Sequence, residues 1–377
     1  MLRSIDLFSG CGGLTHAFAG VARPLLYCDA DEDAQRVLHA RQADGALPRA
    51  RIHGDIRSLR VRRGGADLVV GGFPCVGFSA RGLHRSFEDE QSGLFHHLVR
   101  VVRESGAGAV FMENVPAVVH ETGTIAPIFR RMGFAMRWTI VGADDVGAPH
   151  GRKRWFALAY KPSSRLLQRR WAITGKGYQA YDWSSTAEPK RTSKVADGDM
   201  RAVDARWAML GNGVVPDAAR LAFFRMLTAG AVDRLAPGTV KFLHGTESTR
   251  PGDAARSDVL ESDLEGRVIR FVSSRIAAPK TRYKKLRFDP TLIPPPPVPC
   301  VNQSTPTLTE PLTLRKWATP RHTMLRSCRV LTERSCRDLP TQIAFEIRTR
   351  NRTALANPEW GEWLMGLPLG FTAPIRQ

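Results

Sequence analysis

Cys75 has the setting that most suggests chemistry. It lies in Gly71-Gly72-Phe73-Pro74-Cys75-Val76-Gly77-Phe78-Ser79, directly after the apolar run 67–71, which reads as a short buried strand. The Gly-Gly-Phe-Pro sequence breaks that strand into a tight loop at its carboxyl end. Ligands of an open α/β sheet collect at the carboxyl ends of its strands. A cysteine held there by Pro74 is therefore a candidate nucleophile, whereas a lone cysteine elsewhere is usually a small buried apolar residue. The next strand, Ala109 to Met112, ends at Glu113-Asn114-Val115-Pro116. One helix, from Ser92 to about Glu104, joins the two strands, and a right-handed crossover sets their ends side by side. A thiol beside a carboxyl acid is a working pair, although an acid after a strand also serves as a helix cap.

Two further groups carry potential chemistry. Arg152 and Arg154 lie between Trp138–Val141 and Trp155–Tyr160, which read as an antiparallel strand pair. Arginines at i and i+2 on a strand share one face. There they can clamp a phosphate or a base, or simply form a solvated basic edge. Near the start, the strand Ser4–Phe8 runs into Ser9-Gly10-Cys11-Gly12-Gly13 and then into Leu14–Phe18, which has helical spacing. Strand, glycine loop and helix together bring backbone N–H groups close to a cofactor. Glycines permit that approach because a side chain would block it. The loop alone fits a dinucleotide, a phosphate or no ligand.

The elements that must position these groups follow in order. Pro24–Cys28 reads as a second strand ending at Asp29, an acid suited to ribose hydroxyls or to solvent. His53-Gly54-Asp55-Ile56 closes a third strand-like piece, with Asp55 available to an adenine amino group or to cap the turn. The polar run 80–91 reads as a loop able to close over a substrate. Residues 161–206 are basic, with Trp171, Tyr178, Tyr181 and Trp183 interleaved, and show no clear element. Gly211-Asn212-Gly213-Val214-Val215-Pro216 leads into Asp217–Leu227, which reads as an amphipathic helix. Beyond it, 267–273 reads as a strand, Pro294–Pro299 as a stiff spacer, and 357–371 has apolar helical spacing ended by Gly366 and Pro368.

The totals bound the class. A chain of 377 residues with 43% hydrophobic content suffices for one large core and a second domain. No apolar run reaches membrane-spanning length and no signal peptide is read at Met1-Leu2-Arg3. Six cysteines without zinc spacing suggest reduced thiols in a cytosolic protein. Residues 1–150 hold 17 basic and 16 acidic side chains, whereas 151–377 hold 38 and 20, so nearly all of the net +19 lies in the second part. A near-neutral catalytic part joined to a basic part suggests a polyanionic partner, nucleic acid first.

In this order the pieces resemble the DNA (cytosine-5) methyltransferase family, bacterial or phage type. Asp6-Leu-Phe-Ser-Gly-Cys-Gly-Gly13 is similar to its S-adenosylmethionine loop, and Gly72–Ser79 to its Pro-Cys nucleophile loop. Glu113-Asn114-Val115, Arg152-Lys153-Arg154 and Gly211–Pro216 are similar to its acid, arginine and late Gly-Asn segments. The resemblance covers 1–227 and implies an α/β fold: a Rossmann-like S-adenosylmethionine-dependent methyltransferase sheet with helices on both faces, plus a smaller irregular basic target-recognition domain. It implies Cys75, Glu113, Asn114, Arg152, Arg154, Pro74 and Ser79 as catalytic residues. It implies a cofactor site of Asp6, Phe8, Ser9, Gly10, Cys11, Gly12, Gly13, Leu14, Asp29, Ala30, Asp55, Ile56, Gly72, Pro74, Leu94, Asn212 and Val214. By resemblance Phe8 packs on the adenine, Asp29 holds the ribose and Asp55 the adenine amino group.

Three departures from the family pattern stand out. Ala30 occupies the position of a common Trp, and His150 that of a usual Gln. The usual recognition insertion before the Gly-Asn segment is reduced to 155–210, while Leu364–Phe371, similar to a piece that normally precedes that segment, follows it. The expected division is therefore a catalytic domain over 1–160, a basic insertion over 161–206, a returning segment over 207–227, and a rearranged recognition region over 228–377. The expected reaction is methyl transfer from S-adenosyl-L-methionine, giving S-adenosyl-L-homocysteine, to C5 of a flipped cytosine in double-stranded DNA, without metal. The expected setting is a cytoplasmic monomer, nucleoid-associated and away from membranes, alone or with a cognate restriction endonuclease. The alternatives are the same chemistry on RNA, transfer of a different group, and a non-catalytic DNA-binding relative.

Overall fold

The computed structural model describes residues 1–74, 93–168, 178–194, 200–228, 259–262, 268–271 and 354–374. Its centre is a nine-stranded sheet in the order β10-β9-β6-β7-β5-β4-β1-β2-β3. The strands are β1 (Leu2–Leu7), β2 (Ala22–Cys28), β3 (Arg51–His53), β4 (Leu68–Gly72), β5 (Ala109–Asn114), β6 (Ala135–Gly142), β7 (Lys153–Tyr160), β9 (Val259–Ser262) and β10 (Val268–Phe271). The five strands β3-β2-β1-β4-β5 pair in parallel, and β7 then inserts antiparallel between β5 and β6. The chain order reverses direction between β1 and β4, so their carboxyl ends flank the crevice where such sheets bind ligands. This is the expected Rossmann-like methyltransferase sheet.

Side chains alternate across the strands and feed two apolar layers. In β5, Ala109 and Phe111 face one layer, and Val110 and Met112 the other. The first layer is covered by α1 (Gly13–Ala17), α2 (Glu32–Ala43) and α6 (Pro216–Thr228), the second by α3 (Gly93–Ser105) and α4 (Thr122–Arg131). α6 reads as amphipathic in sequence, yet it is buried almost all round, with Asp217 and Arg220 inside. Both charges have work there. Arg220 donates to the carbonyls of Ala17 (2.8 Å) and Ala19 (2.9 Å), tying α6 to the end of α1. Asp217 accepts from the Tyr178 hydroxyl and from the Tyr181 N–H at 2.8 Å.

The stretch 161–206 is not without elements, because Met200–Asn212 forms a helix, α5, with Val203 and Trp207 in the first apolar layer. Within 228–377, the described stretch 354–374 packs on the catalytic layer. β11 (Ala354–Ala356) pairs with β8 (Thr192–Lys194), and α7 (Pro358–Leu364) buries Trp360, Trp363 and Leu364 in the same layer as Trp207 and Leu14. The physical cause is the close fit of α7 on α5: a Cβ at Gly361 would lie 2.7 Å from the Trp207 indole. Beyond α7, Gly366 has φ +66°, and the Leu367 N–H returns to the Glu362 carbonyl at 2.9 Å, a Schellman stop. Glu362 itself is fully buried and accepts from Arg206 (2.8 Å) and the Thr372 N–H (2.7 Å), which fixes the chain after the helix.

Candidate active site

Parallel pairing of β4 and β5 puts Gly72 directly opposite Glu113. The Glu113 carboxyl lies over Gly72 so closely that a Cβ there would come within 2.7 Å of Oε2, which is why this position takes glycine. Burial pushes the Glu113 carboxyl above the usual range, and Arg154 and Arg152 pull it back only in part. Arg154 Nε sits 2.8 Å from Glu113 Oε1, an ion pair out of reach of most solvent. Burial thus favours the protonated carboxyl, and the guanidinium beside it opposes that shift.

Asn114, the last residue of β5, is fully employed by the backbone. Its Nδ2 donates to the Phe73 carbonyl at 2.9 Å and its Oδ1 accepts the Val115 N–H at 2.8 Å. Phe73 is buried with its ring 5.1 Å from that of Phe95 in α3. Together these contacts fix the root of the Pro74 loop, half-buried at its last described residue. Cys75 and Ser79 lie outside the described residues.

The two arginines part company. Arg154 goes to Glu113, whereas Arg152 is 4% exposed and its Nη2 donates to the carbonyls of Gly211 (2.7 Å) and Gly213 (2.6 Å). Arg152 thus caps the carboxyl end of α5, whose last carbonyls lack helical partners, while its charge still acts on Glu113. His150, absent from the expected site residues, is fully buried beside it. Its Nε2 lies 2.9 Å from the Leu364 carbonyl and its Nδ1 accepts the Arg152 N–H at 3.3 Å. The only sequence signal for it was the unusual His two residues before Arg152.

The glycine loop gathers most of the remaining expected residues. Ser9 Oγ donates to the Asp6 carbonyl (2.8 Å) and accepts the Cys28 N–H (3.1 Å), locking the ends of β1 and β2. The Gly10 N–H donates to Asp29 Oδ2 at 2.7 Å, and the Asp31 N–H to Oδ1 at 2.9 Å. Phe8 has φ +54°, a left-handed backbone that is costly for a bulky side chain and is found where a site demands it. A Cβ at Gly12 would strike Leu47 at 2.5 Å, while one at Gly13 would lie 3.2 Å from Val214. The late segment therefore lies against the glycine loop, with Cys11, Leu14 and Val214 buried and Asn212 exposed.

Asp6 is buried and accepts from Thr15 Oγ1 at 2.6 Å through Oδ2, but its Oδ1 has no partner among the described residues. Burial raises its pKa to about 7. Ile56 is buried and Leu94 half-buried against the second apolar layer, whereas Ala30 is exposed at the rim of the crevice. Asp55 caps its own turn, accepting the Arg57 N–H at 2.8 Å and pairing with the Arg57 guanidinium. Among the described residues no three His, Cys, Asp or Glu side chains gather as a metal set. No helix among them is long and apolar enough to cross a membrane.

Residues 2–218 match the family model for C-5 cytosine-specific DNA methylases. The Type II methyltransferase M.CviJI of Paramecium bursaria Chlorella virus IL3A is 28% identical, over 97% of this chain and 96% of its own length. M.HhaI of Haemophilus parahaemolyticus is 29% identical over 42% of this chain, which spans about half, 49%, of that relative. Among solved structures, the Dnmt2 methyltransferase of S. pombe aligns at 20% identity and TM-score 0.37, covering 50% of this chain and 65% of its own.

Proposed function

The chain belongs to the C-5 cytosine-specific DNA methylase family, and from that premise we propose that it transfers a methyl group from S-adenosylmethionine to C5 of cytosine in double-stranded DNA. The observation that carries this reading is Glu113, a buried carboxyl of raised pKa held by Arg154 against Gly72, two residues before Pro74 and three before Cys75. Cytosine C5 is a poor nucleophile. Addition of the Cys75 thiolate to C6 of a flipped-out base makes C5 enamine-like. Glu113, carrying its proton, donates to N3 and stabilises the electron-rich ring. Methyl transfer leaves S-adenosylhomocysteine; water then takes the C5 proton, the C5–C6 double bond re-forms as Cys75 leaves C6 as the thiolate, and N3 returns its proton to Glu113. Asn114 holds the Phe73 carbonyl, and with it the loop that presents Cys75. Arg154 orients the Glu113 carboxyl.

The crevice at the ends of β1 and β4 suits S-adenosylmethionine, whose sulfonium supplies the electrophilic methyl when bound. The fit rests on the chain's own residues. Gly10 leaves open space where a Cβ would stand, Phe8 is held strained at the crevice, and Asp6 Oδ1, buried at the end of β1, has no partner among the described residues. Asp29 is fixed by the Gly10 N–H at the end of β2, where ribose hydroxyls would meet it. The basic second part of the chain, net +18, supports a DNA backbone partner.

Labelled methyl transfer to unmethylated genomic DNA and to transfer RNA, with Cys75→Ser alongside, tests the reading. Label in DNA that falls on the order of 10³-fold or more in the variant is the expected result. Label only in RNA would replace the substrate, and DNA binding without label in either would leave a binding protein.

A further inference from the structure

His150 and Arg152 each end on the carboxyl terminus of a helix, and the two helices pack on one another. Arg152 Nη2 meets the carbonyls of Gly211 and Gly213 at the end of α5. His150 meets the Leu364 carbonyl, the last of α7, at 2.9 Å. The tautomer follows from the network: Nδ1 accepts the Arg152 N–H, so Nε2 carries the proton and donates. Burial keeps the ring neutral, its pKa lowered to about 4, as a ring that both accepts and donates must be. Just past Gly213, Val214 lies against Gly13 of the glycine loop. A continuous line of buried contacts thus runs from the C-terminal helix, through His150 and Arg152, to one wall of the crevice between β1 and β4.

We infer that His150 and Arg152 form a positioning relay, which holds the Gly211–Val214 wall against the glycine loop and uses α7 as its far anchor. This inference rests on the reading of that crevice as the S-adenosylmethionine site. The relay explains why a helix that starts 130 positions after the end of α6 returns to the catalytic body: its helix end supplies the acceptor that sets the His150 ring, and the ring receives the N–H of the residue that holds the wall. Neither side chain need touch substrate. Arg152 spends Nη2 on two backbone carbonyls.

The test compares two amides at position 150. In His150→Gln the amide nitrogen takes the place of Nε2 and keeps the bond to Leu364. In His150→Asn the amide is too short to reach that carbonyl but can still accept the Arg152 N–H. S-adenosylhomocysteine affinity is read by calorimetry, and KM for S-adenosylmethionine and kcat by methyl transfer, with thermal unfolding checking that each protein is folded. The Asn variant is expected to bind S-adenosylhomocysteine about tenfold more weakly and to raise that KM in step, with kcat within about threefold of wild type. The Gln variant, which keeps the 2.9 Å Leu364 arm and gives up only the longer 3.3 Å contact to the Arg152 N–H, should stay near wild type in both. A folded Asn variant with unchanged affinity, or with kcat lowered at unchanged KM, overturns the relay, and so does a Gln variant as weak as Asn. If Asn does not fold, the Gln variant and Arg152→Lys, which keeps one charged donor for two carbonyls, carry the same comparison: wild-type affinity in Arg152→Lys or tenfold-weakened Gln overturns the relay. Wild type that fails to bind S-adenosylhomocysteine would instead sink the cofactor reading.

Discussion

The two ends of the central sheet have opposite electrostatic characters. At the carboxyl end, acids are buried and their pKa values are raised: Asp6 to about 7, with Asp29 and Glu113 also shifted upward. Phe8 there is strained, and Gly72 and Gly13 stand where a Cβ would crowd its neighbours. At the amino end, Arg63, Arg103, Arg131 and Lys161 rim a cleft of about 530 Å³ floored by Val102, Ile128, Met132 and Phe134, with no acid in its lining. Cations on flexible stems, mostly exposed, cost the fold little. Desolvated acids and a left-handed Phe cost it a good deal and persist where function requires them. The chemistry therefore belongs to the carboxyl end, and each variant below probes that contrast.

Loss of the proton-holding acid should have the largest effect. Glu113→Gln is expected to lower kcat on the order of 10²- to 10⁴-fold, with S-adenosylhomocysteine binding retained. The pH profile carries the sign. A carboxyl whose pKa is raised by burial is active while protonated, so kcat of the wild type falls as pH rises through that pKa. The variant cannot titrate and loses this alkaline limb at its lower plateau. A wild-type kcat that instead rises with pH over this limb would make Glu113 a base and remove it from N3.

Gly72→Ala comes next. The new methyl would sit 2.7 Å from Glu113 Oε2, so the carboxyl or strand β4 must shift. A loss of stability of about 1–3 kcal/mol is expected from such overpacking, read by denaturant unfolding, together with a fall in kcat larger than any change in KM for cofactor. Equal kcat in wild type and variant would show that the Glu113 position is not critical.

Much of this end was legible in the sequence, because its elements are short and local. The apolar runs at 4–8, 24–28 and 109–112 fall on the strands Leu2–Leu7, Ala22–Cys28 and Ala109–Asn114. Gly72 and Glu113 met because consecutive parallel strands joined by a helix have only one usual handedness. Other features depend on contacts distant in the chain. α5 leaves no clear signal in the sequence because its apolar face meets α7, some 150 residues later. The i, i+2 rule placed Arg152 and Arg154 together, but it holds only within a strand, and β7 begins at Lys153. Arg152 lies before that strand and follows the α5 carbonyls instead. Asp55 was open between a ligand role and a turn cap, and in this structure it caps.

Asp6 offers a smaller and more specific effect. Its pKa of about 7 belongs to a buried carboxyl whose Oδ1 lacks a partner among the described residues. A ligand bearing an ammonium group favours the ionised form, so binding below pH 7 must release a proton. S-adenosylhomocysteine affinity is expected to be flat above pH 7 and to weaken by up to about tenfold per unit below it. Asp6→Asn should abolish the slope. The same shift acts on stability. The contribution of the protonated Asp6 is fully present below the ordinary carboxyl range near 4 and is lost as pH rises through about 7. Asp6→Asn should therefore gain stability relative to wild type at pH 8 and show no such gain at pH 4. A pH-independent wild-type affinity would place the ligand's cation elsewhere.

The smallest effect is expected at the amino end. Parallel strands five or six residues long separate the cleft from Gly72 and Glu113 by about 16–20 Å, roughly two Debye lengths at physiological salt. Charges across that span, on exposed side chains, add little to the potential at the crevice. Arg103→Glu with Arg131→Glu is a change of four charge units, yet S-adenosylhomocysteine affinity should stay within about twofold and the alkaline limb of kcat should not move. A shift of that limb would mean that Glu113 responds to the charge of the whole sheet. Its proton would then be governed by long-range field as well as by burial, and the contrast between the two ends would be one of degree.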